Sequence, residues 1–300
     1  MRISRLAALA LLLVPGAFAD LTIDYKMSYQ LAKGIPEQMA GMMEQQLAKS
    51  MPSGMKMQIK GDRLRSGFGA LASIVDYVKG EITLMHPESK RYATCPIADY
   101  GKEMQAGLPA MAVEAMKQMQ VDATAEKSGQ NATIQGLATE EIVIHVTMEM
   151  PGMAGGMKME LHMWVATKDA IASMPELKAW DPVRWSSMGG ASPAQMLGSS
   201  FAQGQAAEKL AKTIGDILKQ SGGLTLRTES RVFIPMLGQM LASQGVNLGD
   251  GPLMTARMEA DHIGHDAVPD SAFTVPEGFQ KAPIADLMKT MIPTAPGGGQ

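Results

Sequence analysis

Residues 142–165 read IVIHVTMEMPGMAGGMKMELHMWV. On the first arm Ile142, Ile144, Val146, Met148 and Met150 alternate with His145, Thr147 and Glu149. On the second arm Met157, Met159, Leu161, Met163 and Val165 alternate with Lys158, Glu160, His162 and Trp164. A period of two over both arms marks strands with one buried face. Pro151-Gly152-Met153-Ala154-Gly155-Gly156 supplies the loop, so an antiparallel hairpin is expected. Pairing Met150 with Met157 sets Glu149 against Lys158, a favourable charge pair. The same register sets Met148 against Met159, Ile144 against Met163 and His145 against His162. The methionines keep step with the aliphatic residues, so the thioether face is expected to be the inner one.

Upstream, Thr133 to Met150 reads as a long strand region broken near Gly136, with a turn at Ser128-Gly129-Gln130-Asn131 after a strand at Val121 to Lys127. Leu21 to Leu31 alternates as cleanly as the hairpin: Leu21, Ile23, Tyr25, Met27, Tyr29 and Leu31 against polar even positions. Pro36 to Lys49 has helical spacing, with Met39, Met42, Met43 and Leu47 on one stripe. Further strands are expected at Met55 to Lys60, Ser73 to Val78, Glu81 to His86, Arg91 to Thr94, Leu224 to Ile234 and Met254 to His262. Residues 97–119 read as helix, kinked or split into two helices at Pro109, with Met104 and Met111 on one stripe. Lys168 to Ala179, Ala206 to Gln220 and Met236 to Ser243 are further helices. Pro269 to Phe279 reads as extended and Pro293 to Gln300 as a disordered tail. The fold class expected is α+β: a strongly curved, mostly antiparallel sheet with helices on its concave side. Residues 20–292 are expected to form one domain, with a helical insertion near 168–220.

The N-terminus has secretory form. Arg2 and Arg5 precede the apolar run Leu6 to Val14, and Ala17-Phe18-Ala19 is a cleavage site before Asp20. Residues 1–19 are therefore expected to be a signal peptide, removed near Ala19, with the mature chain periplasmic or secreted and not integral to a membrane. The 300 residues carry 27 basic and 30 acidic side chains, a formal net charge of −3. With no basic block, nucleic acid is excluded as a partner class. Cys95 is the only cysteine. No disulfide can form within the chain, and burial of the thiol is expected. Methionine is over-used: 28 Met stand against 6 Phe, 5 Tyr and 3 Trp. Such side chains are flexible and polarizable, fit for an adaptable interior.

Several stretches carry a family likeness: Ile59-Lys60-Gly61-Asp62-Arg63-Leu64-Arg65, Ile74-Val75-Asp76, Thr83 to Tyr92, Ile134-Gln135-Gly136, Met163-Trp164-Val165-Ala166, Met258-Glu259 and Val275-Pro276-Glu277-Gly278-Phe279. In that order they resemble an uncharacterised family of secreted bacterial proteins. That family looks like the lipoprotein-localisation-factor superfamily of half-barrel carriers. The resemblance implies a curved antiparallel sheet with helices in its concavity, and acyl chains bound between them.

No nucleophile elbow, P-loop, H-E-x-x-H or zinc-type cysteine pair occurs. A catalytic function and a cofactor are accordingly not expected. The leading expectation is a binding protein that holds an apolar small molecule, a lipid or a lipidated partner. Its candidate ligand-binding residues are Met39, Met43, Leu47, Met104, Met111, Met148, Met159, Leu161 and Met163. An alternative is a Cu(I) or Ag(I) binder, since thioethers suit soft cations and imidazole suits copper. Its ligands would come from Met148, Met150, Met153, Met157, Met159, His145 and His162. A weaker metal candidate is His262 with His265. A third reading is a structural envelope protein with an inert core, working through a protein partner.

Overall fold

The computed structural model describes residues 20–50, 53–107, 114, 118, 120–149, 156–177, 212–213, 215–243 and 251–289. Twelve strands form one open, curled, mixed sheet. They are β1 (Leu21–Leu31), β2 (Gly54–Lys60), β3 (Arg63–Phe68), β4 (Leu71–Asp76), β5 (Glu81–His86), β6 (Arg91–Pro96), β7 (Gln120–Ile134), β8 (Leu137–Glu149), β9 (Met157–Ala166), β10 (Thr225–Phe233), β11 (Met254–Gly264) and β12 (Gln280–Lys281). Across the sheet the order is β12-β6-β5-β4-β3-β2-β1-β11-β10-β9-β8-β7. Two meanders thus meet where β1 pairs with β11, near the two ends of the described chain. Every neighbour is antiparallel except β12, which adds to β6 in parallel. The described helices are α1 (Glu37–Ser50), α2 (Tyr100–Ala106), α3 (Lys168–Ala172), α4 (Pro235–Ser243) and α5 (Ile284–Lys289). Thr167 caps α3 by accepting the Ala170 amide at 3.2 Å.

One face of the sheet is apolar, and period two puts it there. Leu21, Ile23, Met57, Ile59, Leu64, Val75, Ile82 and Cys95 pack with Ile171 of α3 and with Ile284 and Leu287 of α5 in one core cluster. Ile142, Ile144, Val146, Met148, Met159, Leu161 and Met163 form a second cluster, closed by Ile217 and Leu218. A fully buried Leu or Ile is worth about 1.5–3 kcal/mol over its exposed state. These rows therefore hold the sheet curled.

The helix expected over Lys168 to Ala179 stops at Ala172 and gives way to a 3-10 turn at Pro175–Leu177, and three further details differ from the sequence expectation. The hairpin register is shifted by two: Met148 pairs with Met157, Val146 with Met159, Ile144 with Leu161 and Ile142 with Met163. A shift of two preserves the faces, so the alternation could not distinguish the registers. The connection distinguishes them. Gly156 re-enters the sheet at φ +59°, and a Cβ there would lie 2.4 Å from the Met148 carbonyl oxygen. The chain closes against Met148 and pairing begins at Met157. Second, Ser128 to Asn131 is not a turn. It is a bulge within β7, where the register to β8 slips between Lys127 and Asn131. The turn lies at Gln135 and Gly136, with φ +50° and +79° between paired Ile134 and Leu137, as a two-residue hairpin loop requires.

Third, 269–279 is not extended throughout. A 3-10 turn at Asp270–Phe273 carries Phe273 onto the second face of β4 and β5, where it packs with Ala72, Ile74, Met85 and Val268. Arg63 holds Asp270 at 2.6 Å, Arg65 donates to the Ala272 carbonyl at 2.7 Å, and Lys60 to that of Val268 at 2.7 Å. β3 was missed as a strand because Arg, Ser and Gly dilute its alternation. Residues 1–19 and 293–300, with Pro109, Met111, Met150 and Met153, lie outside the described residues.

Candidate functional site

Three cross-strand rows on the apolar face matter most. They run Met27–Met258–Thr228–Met163–Ile142, Tyr29–Ala256–Ser230–Leu161–Ile144 and Leu31–Met254–Val232–Met159–Val146. On β9 and β8 every member is buried. On β1, β11 and β10 all except Thr228 are only half-buried. The same apolar floor is therefore sealed at one end and partly open at the other. Thr228 is 6% exposed, and its hydroxyl has no hydrogen-bond partner. A buried orphan of that kind costs about 1–3 kcal/mol.

α1 reaches this floor at Tyr29. The Tyr29 hydroxyl donates to the Glu44 carbonyl at 3.4 Å. Met39, Met43 and Leu47 are half-buried on it, while Met42 is 67% exposed. Among the other expected ligand-binding residues, Met148, Met159, Leu161 and Met163 are packed into the second core cluster. Met104 lies half-buried against the first. The half-buried residues Met27, Tyr29, Leu31, Met254, Met258 and Val232 were not singled out. The alternation of Leu21–Leu31 shows the parity of three of them, but the β1–β11 pairing that assembles the floor leaves no local signal.

The opposite face of β8–β11 carries a ladder of charges. Glu141, with a nearly buried side chain, accepts hydrogen bonds from the Ser128 hydroxyl and, at 2.9 Å, from His162 Nδ1. Burial pushes its carboxyl up, but those hydrogen bonds and the neighbouring Arg231 charge outweigh burial and hold it below the usual glutamate range. Glu259 is lowered in the same way against burial, by Arg227 at 2.7 Å and by Arg257. The Arg227 guanidinium also lies 5.0 Å from the Trp164 ring centroid.

His145 and His162 are not directly opposed. His145 faces Glu160, and His162 faces Val143. Glu160 lies 3.9 Å from His145 Nδ1 and 3.8 Å from both His162 Nε2 and the Arg231 guanidinium. Among the described residues, no three His, Cys, Asp or Glu side chains converge as metal ligands. Met148 faces Met157 across the hairpin and, with Met159, is enclosed by aliphatic neighbours. His265 is held by Glu176 at 2.8 Å.

A cleft of about 770 Å³ opens between β8–β9 and α4, lined by His145, Thr147, Lys158 and Glu160 of the polar face and by Val146 and Met159 of the floor. No described helix is long and apolar enough to cross a membrane. Neither the protein-family models nor the curated proteins include a match to this chain.

Proposed function

We propose that the chain is an exported carrier, which holds an acyl chain or the lipid of a lipidated partner on the concave side of a half-barrel, beneath its helices. The observation that carries this reading is the uneven burial of one continuous apolar floor. Met27, Tyr29, Leu31, Met254, Met258 and Val232 are half-buried, while their row-mates on β8 and β9 are sealed. Apolar area left in contact with water forgoes about 25 cal/mol per Å², and an acyl chain laid along these rows recovers it.

Methionine suits the task. Unbranched thioethers re-pack around chains of different length and unsaturation. The half-buried Met39, Met43 and Leu47 of α1 form the matching apolar stripe above. The orphan Thr228 hydroxyl gives the floor one hydrogen-bonding point for an ester or carboxyl group. The likeness to half-barrel carriers points the same way.

Purified protein is to be examined by native mass spectrometry and solvent extraction, before and after delipidation. The expected result is a co-purifying lipid, lost in a Met258→Glu variant that puts a charge in the floor. Protein free of lipid, with no affinity for a fluorescent acyl probe, would overturn the proposal.

A further inference from the structure

We infer that α1 carries a site for a soft monovalent cation, Cu(I) or Ag(I), made by the thioethers of Met39, Met42 and Met43. The site uses none of the hairpin methionines and does not rest on the carrier reading.

The structure sorts the methionines by access. Met148 and Met159, which the sequence offers as copper ligands, are 1% and 4% exposed and packed among Ile144, Val146 and Leu161. A cation from water reaches them only if the core opens. Met42 is the opposite case: at 67% it is more exposed than any other described methionine. Packing does not account for a thioether there, because a flexible side chain has nothing to fit. What methionine keeps in water, and leucine lacks, is a soft sulfur donor.

The helix brings three such donors together. Met39 stands three residues before Met42 and four before Met43. Those are the two spacings at which helical neighbours meet, with Cβ atoms about 5–6 Å apart. Helical side chains also lean toward the N-terminus, so positions 42 and 43 both reach back over the turn that carries Met39. Met39 and Met43 are half-buried, so the triad spans the border between covered stripe and open water. Immediately after it, the Glu44 carbonyl accepts the Tyr29 hydroxyl at 3.4 Å, which ties this turn to β1.

The donor type selects the ion. Thioethers are neutral and soft, and they suit Cu(I) and its silver analogue; carboxylate and carbonyl oxygens suit Mg and Ca. α1 contains neither His nor Cys, so Zn(II) and Cu(II) find no imidazole or thiolate on it. On α4, Met236 and Met240 are also exposed, but two thioethers make a poorer set than three.

The test uses the full chain, with Ag(I) as the first probe because it needs no reductant, and Cu(I) under ascorbate as the second. Native mass spectrometry reads stoichiometry, chelator competition reads affinity, and X-ray absorption reads the ligand atoms. One ion per chain with sulfur neighbours is expected. Met42→Leu should weaken binding roughly tenfold or more, at least what a metal site loses with one supporting contact. Replacing Met39, Met42 and Met43 together by Leu should abolish binding and leave the helix content unchanged, since leucine keeps the apolar volume. Met148→Leu with Met159→Leu, and separately Cys95→Ala, should leave binding as it was. A chain with no affinity for Ag(I) would overturn the inference. So would binding that survives the triple variant, including binding removed by Met236→Leu with Met240→Leu. Binding lost on changing Cys95 or the hairpin pair refutes it equally. Lipid co-purification is a separate readout, and the carrier reading stands or falls on that alone.

Discussion

Removing the Glu141 carboxylate should cost this protein more than any other single polar truncation on the charged face. The side chain is 5% exposed and accepts from both Ser128 and His162, itself 16% exposed. Glu141→Ala leaves the largely buried His162 Nδ1 and the exposed Ser128 hydroxyl without their acceptor. Losing a hydrogen bond to a charged group costs about 1.5–3 kcal/mol. At about 2–4 °C per kcal/mol for a large domain, Tm should fall on the order of 5 °C. Urea unfolding followed by circular dichroism at neutral pH measures the loss, provided the m-value is unchanged.

A double-mutant cycle with His162→Leu and Glu141→Leu isolates the pair. The expected coupling is about 1.5–3 kcal/mol, because the histidine–carboxylate bond is charge-assisted. The same cycle tests the strand register. With Met148 opposite Met157, Glu141 and His162 are diagonal neighbours. With Met148 opposite Met159, as the sequence alone proposes, Glu141 would face Ala166 and His162 would face His145. Their coupling would then fall within about 0.5 kcal/mol of zero, as for independent sites. A coupling that small would refute the register and the hydrogen-bond argument together.

Acid should weaken the same ladder. The Glu141 and Glu259 carboxyls titrate below their ordinary value in the folded chain. Their contribution is therefore complete above the unfolded glutamate value of about 4.3 and is lost as pH falls through the folded one. Stability measured from pH 5 downward should decline, and Glu141→Gln should flatten that decline; a variant with the wild-type slope would remove Glu141 from the account. Cys95 is buried, and burial, with Glu103 and Asp99 nearby, pushes its thiol up. Its reaction with a disulfide reagent should be negligible in native buffer and rise in step with unfolding by urea; rapid native labelling would place the thiol outside the core.

How much was legible in the sequence follows from what each pattern encodes. Period two determined the inward faces. Leu21, Ile23, Tyr25, Ile144 and Leu161 are buried where alternation puts them, and Met148 and Met159 with them. Alternation has no memory of register, however, because a slip of two residues returns every side chain to its own face. The pairing of Met148 with Met157 was decided by the close approach of Gly156 to a backbone carbonyl, a three-dimensional contact. Ser128 to Asn131 has turn composition, yet its backbone was taken into a bulge because β7 pairs with β8 on both sides of it.

The candidate floor shows the same division. Local sequence determined that Met27, Tyr29 and Leu31 share a face with Leu21 and Ile23. Only the tertiary structure decided that β11 lies beside β1, over two hundred residues along the chain, and that those three rows stay half-open while β8 and β9 are sealed. Hydrophobic patterning reports which side chains leave water, a local property of each strand. Which strands meet, and how completely they are covered, depends on the packing of the whole chain.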